Sequence, residues 1–79
     1  MHELAITRAI VEQCIERCEG QRVVRVLIEI GLASAVVPDA VRFAFPLCAE
    51  GTLLDGARLE IRTPPGEALL LKEMEVTES

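Results

Sequence analysis

The chain has 79 residues, of which 51% are hydrophobic but only 3% aromatic, with no Trp or Tyr, so it forms one small domain with a thin core of Leu, Ile, Val and Ala. A formal net charge of -5 and the scarcity of aromatics exclude the basic face and the stacking platform that a nucleic-acid-binding protein needs. Cys14, Cys18 and Cys48 cannot pair completely within one chain and lack Cys-x-x-Cys spacing, which suits a reducing cytoplasm. No apolar run approaches the roughly 20 residues of a membrane span, and Glu3, Arg8, Glu12 and Gln13 interrupt the start too often for a signal peptide.

The chain opens Met1-His2-Glu3, and His2 is its only histidine. An α-amine, the backbone nitrogen of residue two and the imidazole of His2 close one five-membered and one six-membered ring around a cation. This donor set favours square-planar Ni(II) or Cu(II), and cellular supply decides between them. A bulky second residue prevents removal of the initiator methionine, so the chelate is kept. Glu3 is ambiguous, because an acid in the first turn of a helix is favoured by the helix dipole whether or not metal is near.

From Leu4 to Cys18, the residues Leu4, Ile10, Val11, Cys14, Ile15 and Cys18 recur at helical spacing, and Gly20 suits the C-cap. Cys14 and Cys18 lie one turn apart on the apolar stripe and read as small core residues. Arg22 to Ile30 is a strand, with Val24, Val26, Ile28 and Ile30 expected toward the helices. The apolar run 32–37 is expected to be partly buried or to meet a partner. Pro38 suits the first turn of a second helix, whose stripe is Val41, Ala44, Phe45 and Cys48, while Pro46 predicts a kink or an end near Phe45.

Ala57 to Thr63 alternates as a half-exposed strand, and Ala68 to Val76 follows the turn Pro64-Pro65-Gly66 as another. In the latter, Leu70, Met74 and Val76 are expected on one face and Leu69, Leu71, Glu73 and Glu75 on the other, with Lys72 breaking the first set. The short turn predicts an antiparallel hairpin between these two strands, and the strand-helix-strand segment before it predicts a parallel crossover. The fold class is α+β, two helices on a small mixed three-stranded sheet in the order α-β-α-β-β.

Met-His-Glu-Leu at the start, Leu-Ile-Glu-Ile-Gly at the end of the first strand, Val-Pro-Asp-Ala-Val-Arg-Phe-Ala-Phe, the following Glu-Gly-Thr, and Ala-Arg-Leu-Glu-Ile together resemble the nickel-binding domain of the HypA/HybF metallochaperones, which serve [NiFe]-hydrogenase and in some organisms urease. The resemblance runs from Met1 to Val76. It implies that Met1 supplies its amine, His2 its imidazole and backbone nitrogen, and Glu3 a backbone or carboxylate donor. It also implies a nickel-handling GTPase and a hydrogenase precursor as partners. The family's zinc domain, built on two Cys-x-x-Cys pairs, would fall between about residues 68 and 69. Here the flanks run together, so residues 1–79 are expected to be a single nickel-binding domain without zinc. Val37 stands where members often have a carboxylate, with Asp39 the nearest substitute, and Leu32 stands where an acid usually follows the glycine.

A carrier and not an enzyme is expected. There is no Ser/His or Cys/His pair and no phosphate-binding Gly-rich loop. The competing reading is a protein-interaction or oligomerisation module with an incidental metal site, in which an exposed strand edge pairs with a second copy or exchanges a strand.

Overall fold

The computed structural model describes residues 2–77. Five elements follow one another: helix α1 (Glu3–Arg17), strand β1 (Val23–Ile30), helix α2 (Pro38–Ala49), strand β2 (Arg58–Arg62) and strand β3 (Leu69–Val76). This is the expected α+β order. α1 is closed by Cys18, whose N–H reaches the Cys14 carbonyl, and by left-handed Glu19 and Gly20.

The sheet order is β2-β1-β3, with β1 parallel to β2 and antiparallel to β3. The parallel crossover is as expected, but the hairpin is not. β2 and β3 do not pair; they flank β1 on opposite sides. β1 is the most apolar strand and gains cover and hydrogen bonds on both edges by taking the centre. The segment between β2 and β3 must therefore cross the end of β1, about two strand spacings or roughly 10 Å. The loop after β1 holds it there: Gly31 N–H donates to the Ala68 carbonyl (2.8 Å), Leu32 N–H to Pro64 (2.9 Å) and Ala33 N–H to Gly66 (2.8 Å). A Cβ at Gly31 would lie 2.3 Å from the Gly66 oxygen, so the close approach requires glycine.

The core joins Ile10, Val11, Cys14 and Cys18 of α1 to Val23, Val26, Ile28 and Ile30 of β1 and to Val41, Phe45 and Ala49 of α2. Cys14 and Cys18 are buried there as free thiols, as the stripe predicted. Burial in this apolar setting, with Cys18 close by, pushes the Cys14 thiol up to about 11. Two details of the stripes differ from expectation. Leu4 is half-exposed, and the core position in that turn belongs to Thr7, which is fully buried. α2 runs through Pro46 to Ala49. Pro46 and Arg42, whose carbonyl loses its partner, are both exposed, so the interruption falls on the solvent side of the helix. Val36 packs against the core, whereas Leu32 and Val37 are exposed.

Strand faces also depart from simple alternation. Val23 pairs with Val76 and Arg25 with Glu75, which leaves Val24 as an extra residue on β1. Leu27 pairs with Glu73 and Ile28 with Leu71, which leaves Lys72 as an extra residue on β3. Each irregularity has the form of a bulge, and each reverses which residues face the helices. Val23 is buried in place of Val24, and Leu71, Met74 and Val76 pack on the core. Leu70 takes the open face with Glu73 and Glu75. On that face, Arg25 bonds Glu60 of β2 at 2.7 Å and Glu73 and Glu75 of β3 at 2.9 and 3.1 Å.

Candidate metal centre

Of the three candidate ligands, His2 and Glu3 stand at the entrance of α1. Met1 lies outside the described residues. His2 is the N-cap of α1, with φ -112° and ψ 50°, and its side chain makes no capping hydrogen bond. Its carbonyl accepts the Ile6 N–H at 2.9 Å, so the backbone of residue two is fixed by the first helical turn while the imidazole is exposed to solvent. An exposed imidazole that makes no capping hydrogen bond, at a fixed backbone position, is a usable donor.

Glu3 is the first helical residue and faces the start of α2. Its carboxylate accepts the Val37 N–H at 3.1 Å, joining residues 34 apart in sequence. Val37 is the N-cap of α2, in extended conformation with no side-chain cap of its own. The Glu3 carboxylate therefore sits at the positive end of α2, where negative charge is favoured. Hydrogen bonding to the positive chain terminus first, and to the Val37 N–H second, holds its carboxyl down to about 2, so it is ionised at neutral pH.

Thr7 completes the first turn from the inside. Its hydroxyl donates to the Glu3 carbonyl at 2.6 Å. Full burial of the Thr7 side chain against the core ties the carbonyl end of Glu3 to the domain, while the Glu3 carboxylate ties the same residue to α2. Reasoning from the sequence alone missed both Thr7 and the Val37 N–H. The signal for Thr7 was present, a small hydroxyl residue at the core-facing position between Leu4 and Ile10. The Val37 N–H leaves no trace in sequence.

Asp39 turns elsewhere. Its carboxylate pairs with Arg42 at 2.8 Å along the outer surface of α2. The Val37 side chain offers no donor atom. Among the described residues no three His, Cys, Asp or Glu side chains converge to hold a metal, and a terminal chelate does not depend on such a cluster because most of its donors are main-chain nitrogens.

Residues 1–70 match the family model described as hydrogenase/urease nickel incorporation, metallochaperone, hypA. The chain is 54% identical over 68 residues to the hydrogenase maturation factor HypA of Nostoc sp., covering 86% of this chain and 60% of that one. It is 52% identical over 66 residues to the HypA of Geobacter sulfurreducens, covering 84% and 60%. The chain thus spans about 60% of the length of these curated relatives. The solution structure of the nickel metallochaperone HypA from Helicobacter pylori superposes with a TM-score of 0.74 at 19% identity, covering 99% of this chain and 88% of that one, a likeness of fold. With a family match over residues 1–70 and relatives at 52–54% identity, the chain belongs to the HypA family of nickel-incorporation metallochaperones, whose role is non-catalytic.

Proposed function

We propose that this domain carries Ni(II) at its amino terminus and passes it on for maturation of [NiFe]-hydrogenase, or urease where that enzyme is present. The observation that carries this reading is the exposed imidazole of His2 on a backbone fixed by α1, one peptide bond from the α-amine. Nickel is the cargo. The donors are the Met1 amine, the imidazole and backbone nitrogen of His2, and the backbone of Glu3, whose carboxylate is engaged with Val37. The pairing of Asp39 with Arg42 supports leaving Asp39 outside the set. Nitrogen donors of this kind suit Ni(II) and hold Cu(II) more tightly still, so supply in the cell selects the metal. We place the protein in the cytoplasm, in keeping with its free thiols; no helix among the described residues is long and apolar enough to cross a membrane. A nickel-handling GTPase and the hydrogenase precursor are the partners that membership of the family supports.

The test is a nickel titration of protein with an authentic, untagged terminus. One Ni(II) per chain is expected, and His2→Ala or a single residue added ahead of Met1 should abolish binding. Both the amine and the imidazole must lose protons to ligate, so acidification should release the metal. Binding that survives either change places the site elsewhere.

A second reading has its own observation. β3 is an open edge strand, and with α1 it lines a groove of about 200 Å³ between Ile6, Ile10 and Gln13 on one side and Leu69, Leu70 and Leu71 on the other. Lys72, Glu73 and Glu75 guard the far half of this edge in the way charged residues and bulges usually do. The Leu69–Leu71 end remains available to pair with, or exchange a strand with, a second copy. Light scattering decides: a metal-independent dimer favours the interaction module, and a monomer at all concentrations removes it.

A further inference from the structure

The Glu3 carboxylate does a job that ligation alone does not explain. It reaches across to the backbone N–H of Val37, the N-cap of α2, in a molecule where the side chain at that cap supplies no oxygen of its own. Thr7 holds the carbonyl of the same residue from the core side. Between them, these two bonds leave Glu3, and the His2 backbone next to it, little freedom to fray from the helix end. We propose that Glu3 is a positioning residue and not a side-chain ligand: its carboxylate latches the start of α1 to the Val37 N–H of α2 and so holds the terminal chelate in a ready conformation. This rests on the terminal-chelate reading above and assigns a role within it.

The physical reason is preorganisation. A chain terminus is ordinarily mobile, and ordering it on metal binding costs affinity. A latch made in the metal-free protein removes part of that cost in advance. The bond is charge-assisted, so its loss should weaken nickel binding by about tenfold. Because the carboxylate does not touch the metal, the ligand field should be unchanged.

The experiment uses the whole chain with its native terminus and compares Glu3→Ala, Glu3→Gln, Val37→Pro and the Glu3→Ala/Val37→Pro double variant. Val37→Pro removes the donor while leaving Glu3 intact, and the φ of -89° and ψ of 112° at Val37 lie near what proline and a following proline accept. The latch predicts that Glu3→Ala and Val37→Pro each weaken Ni(II) binding about tenfold, that the double variant is no weaker than either, and that all keep the visible absorption and circular dichroism bands of the wild-type complex. Glu3→Gln, which keeps an acceptor oxygen, should retain most of the affinity. A shifted spectrum in Glu3→Ala and Glu3→Gln, with Val37→Pro binding like wild type, would make the carboxylate a ligand and overturn the proposal.

Amide hydrogen exchange on metal-free protein gives a reading independent of nickel. The Val37 N–H should exchange faster in Glu3→Ala than in wild type, and equal rates overturn the latch. This arm also decides the matter if Val37→Pro fails to fold. Wild-type protein that binds no nickel while Val37 is protected by Glu3 would instead break the terminal-chelate reading, and the latch's role in holding metal with it.

Discussion

β1 has a different neighbour on each side. Toward β2 the register is unbroken from Arg25↔Arg58 to Glu29↔Arg62, and Leu59 and Ile61, two residues apart, both pack against the core. Toward β3 the register slips twice, at Val24 and at Lys72, and the core-facing residues fall at 71, 74 and 76. The difference shows what each strand is asked to do. β2 packs on one face and pairs on one edge, so period-two patterning is enough. β3 must be carried across the end of β1 by a bridge tied to the Gly31 loop, then meet the helix face with Leu71 and Met74 and the Arg25 cluster with Glu73 and Glu75. An extra residue at Lys72 lets one strand satisfy both, because a bulge shifts the parity between its two halves.

The largest effect is expected where both flanks depend on one side chain. Ile28 is fully buried and pairs with Ile61 on one side and Leu71 on the other. Ile28→Ala should cost about 2–5 kcal/mol, a large share of the roughly 4–12 kcal/mol of a domain this size. Urea unfolding followed by circular dichroism checks it, and a loss below about 1 kcal/mol would mean the core collapses to fill the site.

Gly31→Ala attacks the β3 side alone. Its new methyl must displace backbone at Gly66 and not a flexible side-chain tip, for about 1–3 kcal/mol. Amide exchange should quicken at Gly31 and Ala33 before it does in the β1–β2 ladder. Equal loosening on both sides would erase the distinction between the flanks.

Arg25→Ala removes the group that joins the flanks, leaving Glu60, Glu73 and Glu75 close together without their shared cation. Arg25 lowers the Glu73 carboxyl below its ordinary value of 4.5, so its contribution is present above that range and lost as the pH falls through it. The variant should melt lower than wild type at neutral pH and low salt. That gap should narrow in acid and in about 0.5 M salt, where exposed charges are screened.

The smallest effect concerns Cys14, beneath the sheet on the helix side. Its thiol is raised from 9.0 to about 11 in the folded protein. The unfolded chain therefore gives up this proton first, and the folded state loses stability as the pH rises from about 9 to 11. Cys14→Ala should flatten that alkaline decline in a thermal melt series. An unchanged slope would assign the decline to other groups.

Much of this was readable from the chain. The helical stripe of α1, the alternation of β2 and the placing of Pro38 at the first turn of α2 all rest on neighbours within a few residues, where propensity and period act directly. The proposed terminal donors, Met1 and His2, come from the sequence alone, since a chelate of adjacent residues needs no fold to assemble it. What escaped the sequence was non-local. A Pro-Pro-Gly turn reads as a hairpin until the apolar character of β1 makes it the central strand. Alternation in β3 cannot be assigned to faces until its partner shows that Lys72 is the residue left over.

The sequence by itself determined five elements in order, because they follow from the chemistry of near neighbours, and it is the source of the proposed donor set at the first residues. Only the tertiary structure decided the sheet order, the two bulges and the bond between Glu3 and Val37. Each of these joins segments far apart in the chain, and its partner is selected by which surfaces packing leaves within reach.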